Sequence, residues 1–370
     1  MARLAAGIKK RADGTLEKRF TMNGRRYSVY GRTSNEVLAK EQETRAKIKA
    51  GTYTSNSKVT IDEYYKEFIK EKELKLKGST LRLYDSMYKM QISPRLGSRK
   101  VNNIERREII NFRNDLRAAG LGTSTCNAVM TLLKSILGRA VIDEVIVKNP
   151  AERIDGLRRT EIKATETIHR ALTVEEQAAF MAEAKTEYHY EFMAMLLLTG
   201  MRTGECAALT WGDIDYKNHE IHVTKSITKT KNGEITVGTP KTKTSTRDIP
   251  MTESVETILK AQREKMCCVI PNASSRIFST PYAHTVVGWD IGKTINKVLT
   301  RLEEKGIYIE HFSAHAFRDT FATRAIEQGM NPQTLKTILG HSSLAMTMDL
   351  YAHVMPNTKH EEMNLLHIAL

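Results

Sequence analysis

The stretch "LGHSSLAMTMDLYAH", residues 339–353, places a histidine ten positions before a tyrosine. Ser342 and Ser343 follow the histidine, and Ser343 suits the cap of a short helix. On that helix Leu344, Met348 and Tyr351 share a face. Taken alone, the pattern describes Tyr351 as a core aromatic. Whether it is a nucleophile instead depends on what distant segments bring to it.

Three upstream stretches bear on that question. In "LLLTGMRTGECAAL" (196–209) Arg202 follows an apolar helix and stands between two glycines, whose backbone freedom lets a guanidinium project into a cleft. Glu205, three residues on, is placed to brace it; a surface Arg–Glu pair reads equally from these residues alone. "GTPKTKTSTRDIP" (238–250) is a lysine-bearing connection into a strand, either a charged loop tip or a reach toward a phosphate. In "SAHAFRDTFATRAIEQG" (313–329) His315 and Arg318 lie at i, i+3, so a helix turns both to one side, which suits an anionic ligand. His311 and His315 have helical zinc spacing, but no glutamate lies between them and no third ligand is evident. "HAFRD" has the look of a kinase catalytic loop, yet no glycine-rich loop precedes it.

Outside these stretches the chain is modular. "TLEKRFTMNGRRYSVYGRT" (15–33) has two alternating runs around Asn23-Gly24, a strong hairpin signal. Its second strand sets Arg25 and Tyr27 on one face, Arg26 and Tyr30 on the other. Either basic, aromatic face is a candidate for DNA, against the plainer reading of a solvated hairpin over a small core. "SNEVLAKEQETRAKIKAG" predicts a helix entered at Ser34 or Asn35 and stopped at Gly51. Residues 52–59 are a polar linker. Thr60 to Glu63 form a capping box, and four helical segments follow to Asn149-Pro150. A charged connector (156–170) leads to a second capping box, Thr173 to Glu176, and a longer mixed domain. There two helices run to about Leu198. "HEIHVTKSITKTKNGEITVGTPKTKTSTRDIPM" (219–251) predicts strand, Asn232-Gly233 turn, strand, and a third strand into Pro250. Helices fill 253–265, 290–304, 314–329, 332–339 and 344–353. The fold class expected is multidomain α+β: a β-hairpin/helix N-terminal module, an all-α domain, and a mainly α domain with a small antiparallel sheet.

The 370 residues carry 57 Lys+Arg against 43 Asp+Glu, a formal charge of +14. Residues 1–57 hold 13 basic and 5 acidic side chains, so the first sixth supplies more than half of the excess. Such an excess attracts polyanions, nucleic acid foremost, by counterion release. The longest apolar run, "FMAMLLL" (192–198), is too short for a bilayer, and the basic N-terminus leads into no secretory h-region. Cys126, Cys206, Cys267 and Cys268 form no CxxC pair and read as reduced thiols.

The order Arg, Lys, His-x-x-Arg, His, Tyr resembles the tyrosine recombinases, the phage and conjugative-transposon integrases. "TGMRTGE" (199–205), "HAFRDTFAT" (315–323) and "LGHSSLAMTMDLYAHV" (339–354) are similar to that family's three signature boxes nearly residue for residue. The resemblance implies a division into an arm-type DNA-binding module (1–57), a helical SAM-like core-binding domain (58–155), a catalytic domain (165–356) and a tail (357–370) that packs on a neighbouring protomer. It implies that Arg202 and Arg318 clamp the scissile phosphate. His315 and His341 then bond its non-bridging oxygens, and Tyr351 attacks phosphorus. Glu205 orders the first box. Lys241 or Lys243 acts at the 5′ leaving oxygen, with Lys241 favoured. Asp319 stands where many relatives have a second histidine.

The chemistry fits those roles. A phenol with a pKa near 10 needs activation at neutral pH. The transition state gathers negative charge on phosphate oxygens, and arginine forks match them. One preorganised donor of this kind is worth roughly 3–4 kcal/mol. Lysine or histidine can protonate the departing oxygen. No metal or other cofactor is expected, and no ATP, since the 3′-phosphotyrosine bond keeps the ester energy. The partners expected are double-stranded DNA at core and arm sites, a homotetramer on that DNA, an excisionase and a host DNA-bending protein, with no membrane and a bacterial cytoplasmic, nucleoid-associated location. Two other readings compete: a type IB topoisomerase-like enzyme that rejoins the same strand, and a non-catalytic DNA-binding protein.

Overall fold

Asn23 and Gly24 both take positive φ, 51° and 78°, as a two-residue hairpin turn requires. They join β2 (Leu16–Met22) to β3 (Arg25–Gly31), and β1 (Ile8–Lys10) completes an antiparallel sheet of order β1-β2-β3. The helix α1 (Ser34–Lys49) is capped by Thr33, one residue before the expected start, because its hydroxyl accepts from the Glu36 N–H at 3.2 Å. Ile8, Leu16, Phe20, Val29 and Val37 form the core of this module. A computed structural model of the chain describes residues 6–50, 59–158, 170–229, 234–238, 246–266, 272–281 and 284–354, the side chains of Arg25, Ala352 and His353 excepted.

The two faces of β3 are not equivalent. Tyr27 sits opposite Phe20, stacks on it at 5.5 Å between ring centroids, and packs on the module's core. The face open to solvent carries Arg19, Arg26 and Tyr30, with Arg11 lying over the Tyr30 ring. Tyr27 is thus half-buried against the module's core, unlike the exposed Arg26 and Tyr30.

The chain divides into two compact units, residues 1–166 and 167–370. The first unit holds a second core, all helical. Its capping box is present as expected: Thr60 Oγ1 accepts from Glu63 N–H, and the Glu63 carboxylate accepts from Thr60 N–H. It opens α2 (Ile61–Glu73), which buries Tyr64, Tyr65, Phe68 and Ile69. α3 (Gly78–Met87) runs through a π-helical turn, Tyr88–Ile92, into the short α4 (Ser93–Leu96). α5 (Arg106–Ala118) and α6 (Thr123–Ile142) complete the block. Among the described residues α6 alone is long and apolar enough to cross a membrane. Its apolar side chains, Val129, Leu132, Leu133, Ile136 and Leu137 among them, instead fill this core.

In the second unit Thr173 and Glu176 form the other capping box, opening α7 (Val174–Ala184), and α8 (Tyr190–Thr199) is buried along most of its length. α9 (Thr203–Cys206) is one turn. The strands β4 (Ile214–Asp215), β5 (Glu220–Val223), β6 (Ser226–Lys229), β7 (Ile235–Gly238) and β8 (Arg247–Pro250) do not form one sheet. β8 pairs with β5, giving β4-β5-β8, while β6 and β7 form a separate ribbon. The pairing Ile221↔Ile249 explains the split: both side chains enter the main core, whereas β7 shows mostly exposed side chains. The Asn232-Gly233 turn lies outside the described residues. Then come α10 (Glu253–Lys265), α11 (Gly288–Glu304), α12 (His315–Glu327), α13 (Pro332–Leu339) and α14 (Leu344–Val354). α14 packs on α12 and α13 over a small apolar cluster that includes Ile326, Leu335, Leu339 and Tyr351.

Candidate active site

α8 ends because Gly200 takes the left-handed conformation, φ 63°. A methyl group there would lie 2.5 Å from the Phe321 ring and 2.8 Å from Leu339, so only glycine allows α12 and α13 to come this close. The turn delivers Arg202 to the start of α9. Glu205 holds it: its carboxylate accepts from the Arg202 backbone N–H at 3.0 Å and from Nη1 at 2.8 Å. Glu205 is 2% exposed, so this is a buried brace rather than a surface pair. The Arg202 side chain stays 39% exposed, open to an incoming anion.

α12 is fixed in the core by Phe317, which packs with Phe180 and Phe312, and by Thr320, whose hydroxyl accepts from the Leu172 N–H. The helix presents His315 and Arg318 from its first turn, as their spacing predicted. Arg318 is buried and donates to the Gly200 carbonyl at 2.6 Å and the Leu339 carbonyl at 2.8 Å. Burial, followed by the charges of Arg202 and Arg247 against the opposing Glu205, lowers its pKa to about 9, so it remains cationic at neutral pH. His315 is about half exposed and its Nδ1 lies 3.2 Å from the Asp319 carboxylate. His311 precedes α12 and bonds Asn296 at 3.0 Å, so it does not share a helix face with His315.

The end of α13 joins these parts. Three consecutive carbonyls there accept from three arginines: Ile338 from Arg247 Nε, Leu339 from Arg318 Nη2 at 2.8 Å, Gly340 from Arg202 Nη2 at 3.4 Å. Cations belong at a helix C-terminus, where unpaired carbonyls concentrate negative potential. The next residue is His341, whose Nδ1 lies 3.0 Å from the hydroxyl of the buried Thr347. Burial, then Arg318, Arg202, Arg247 and His315 in turn, push its pKa down to about 4, so the ring is neutral at pH 7.

Tyr351 is partly buried on α14, and burial raises its pKa above the ordinary phenol value. Its Oη is inaccessible and makes no hydrogen bond among the described residues. A buried tyrosine hydroxyl in a core normally finds a partner.

Arg202, Glu205, His315, Arg318 and His341 are therefore brought together. Lys241 and Lys243 lie outside the described residues. Arg25 lies in β3 with its side chain undescribed, and Arg26 is exposed on the same strand. Arg247 was missed. Its signal was strand phase: in "RDIP" it alternates with Ile249, and both point inward.

The chain is similar to known proteins in sequence and fold. A family model described as "Phage integrase family" matches residues 170–358, and one described as "Phage integrase, N-terminal SAM-like domain" matches residues 60–117. The chain is 28% identical over 359 residues to a tyrosine recombinase XerC-like protein of Caldanaerobacter subterraneus subsp. tengcongensis, covering 90% of this chain and 89% of that one. It is 29% identical over 265 residues to the ICEBs1 integrase of Bacillus subtilis, covering 70% of each. Among solved structures, the Tn1549 transposon integrase in complex with a circular intermediate DNA superposes with a TM-score of 0.71 at 23% identity, over 83% of this chain and 99% of that one. A lambda integrase tetramer bound to a Holliday junction gives 0.60 at 17%, over 95% and 96%.

Proposed function

The chain belongs to the phage integrase family and is a tyrosine-type site-specific DNA recombinase, and on that premise we propose that Tyr351 is the nucleophile of a strand-exchange site built around the end of α13. The observation that carries this reading is the convergence of Arg202, Arg318 and His341 on three successive positions, 339 to 341, beside a helix bearing an unpartnered buried phenol.

In the proposed step Tyr351 Oη gives up its proton to solvent and attacks the scissile phosphorus, forming a Tyr–O–P bond as the P–O5′ bond breaks. Arg202 and Arg318 carry the charge that builds on the non-bridging oxygens. His315 and His341 add hydrogen bonds. Lys241, or Lys243, gives its proton to the departing 5′-oxygen. The products are a 3′-phosphotyrosine and a free 5′-hydroxyl, and attack by a partner strand's 5′-hydroxyl reverses the chemistry on a new strand. Arg318 needs no proton transfer for this. His341, neutral without DNA, gains a favourable neighbour when the phosphate anion enters.

The proposal extends to the assembly. Residues 1–57 engage arm sites through the open face of Arg26 and Tyr30. Residues 58–155 and 165–356 grip the core site, and residues 357–370 dock on the next protomer of a tetramer, with an excisionase and a DNA-bending protein as accessory factors. The lambda integrase tetramer on a Holliday junction supports the oligomer, and the mobile-element names of the relatives favour exchange between two duplexes over relaxation of one.

A duplex nicked close to the crossover tests the reading, because the freed fragment diffuses away and traps the intermediate. Covalent protein–DNA adduct is the expected product, and paired full-length sites yield recombinant joints. No adduct would overturn the reading; adduct with relaxation of supercoils but no joints would turn it to the topoisomerase-like alternative.

A further inference from the structure

We propose that Arg247 is a positioning residue for strand cleavage, holding at once the carboxylate that aims Arg202 and the helix end that aims Arg318 and His341. The inference rests on the strand-exchange reading above.

Arg247 opens β8 at an inward phase, opposite Val223, and its side chain is 3% exposed. A buried guanidinium this deep does not reach DNA. It is also costly unless paired, and it is paired: Nη2 donates to Glu205 at 2.9 Å. Glu205 has its other oxygen on Arg202 Nη1, 2.8 Å away. One carboxylate thus links the buried arginine to the half-exposed one. Without Arg247 the carboxylate keeps a single charged partner, beside the Arg202 backbone N–H, so it is held less firmly and aims the Arg202 fork less strictly. Arg247 also donates through Nε to the Ile338 carbonyl. That carbonyl immediately precedes the acceptors of Arg318 and Arg202, and lies three residues before His341. A shift of α13 there would move two phosphate-facing groups together. Misplacing such groups by about an ångström costs on the order of 100-fold in rate.

A plain stabilising ion pair would be lost differently, and full-length variants separate the two. Single-turnover cleavage of the nicked duplex is measured at saturating DNA for wild type, Arg247→Lys, Glu205→Gln and the double Glu205→Gln/Arg247→Met, beside duplex Kd and Tm. Arg247→Lys is expected to bind duplex like wild type and remain folded, yet cleave roughly 10- to 100-fold more slowly. The double variant, which removes both buried charges and so keeps a folded core, should cleave more slowly than Glu205→Gln, because the Ile338 contact is lost as well, but by less than the two separate losses multiplied, because they share the Glu205 contact. Wild-type cleavage by folded Arg247→Lys, or by the folded double variant, would overturn the proposal. So would losses that multiply, or that merely follow the folded fraction. If wild type itself forms no adduct, the strand-exchange reading fails and this inference with it; adduct from wild type with full rates in the variants defeats this inference alone.

Discussion

Arg318 and Gly200, 118 residues apart in sequence, are joined by a 2.6 Å hydrogen bond from the guanidinium to the glycine carbonyl. The same arginine reaches the Leu339 carbonyl at 2.8 Å. Three chain segments therefore meet at one buried cation, and the glycine's backbone makes the meeting sterically possible.

That dependence predicts the effect of Gly200→Ala. The methyl group would strain a φ of 63° and press on Phe321 at 2.5 Å. Backbone strain and overpacking together should cost about 2–4 kcal/mol, read as a lower midpoint in urea unfolding. A variant as stable as wild type would show that the three segments do not pack as described.

The neutral state of His341 predicts a pH dependence of stability. Its folded pKa, about 4, lies below the ordinary histidine value of 6.5. Between those values the unfolded chain binds the proton and the folded chain does not, so this group's stability is present above about pH 6.5 and is lost as pH falls toward 4. His341→Gln should reduce the fall in unfolding free energy between pH 7 and pH 5 by about 1 kcal/mol. An unchanged fall would place the ring in water, away from the arginines.

The N-terminal module separates contact from core. Arg26→Ala should weaken duplex binding and lower the slope of log Kd against log salt by about 1, as loss of one phosphate contact does. Tyr27→Ala should destabilise the module by about 2 kcal/mol through its lost packing on Phe20, without a lower slope in the folded protein. The reverse assignment of effects would exchange the two faces of β3.

Signals confined to a few neighbouring residues were legible in the sequence. The capping boxes at Thr60 and Thr173, the Asn23-Gly24 turn and the His315/Arg318 spacing each encode their own geometry within one turn. The Glu205 brace is also local, three residues from Arg202. What escaped is set by non-local pairing. Only the β5–β8 register places Arg247 indoors, and only α1 lying across the hairpin decides that Tyr27 rather than Tyr30 faces the core. The split of five strands into two sheets is of the same kind, because periodicity gives a strand's faces and not its neighbour. For Tyr351 the helical pattern alone pointed to a core side chain; its unbonded hydroxyl appears only once α14 is docked.

The chemistry at Tyr351 is open to direct reading. Adduct trapped on a nicked duplex is digested with nuclease and protease, and the modified peptide is sequenced by mass spectrometry. The expected result is a 3′-phosphonucleotide on the tyrosine of the peptide containing Met348 to Val354, and no adduct from Tyr351→Phe despite normal duplex binding. A nucleotide on any other residue, or wild-type adduct from the phenylalanine variant, would contradict the assignment.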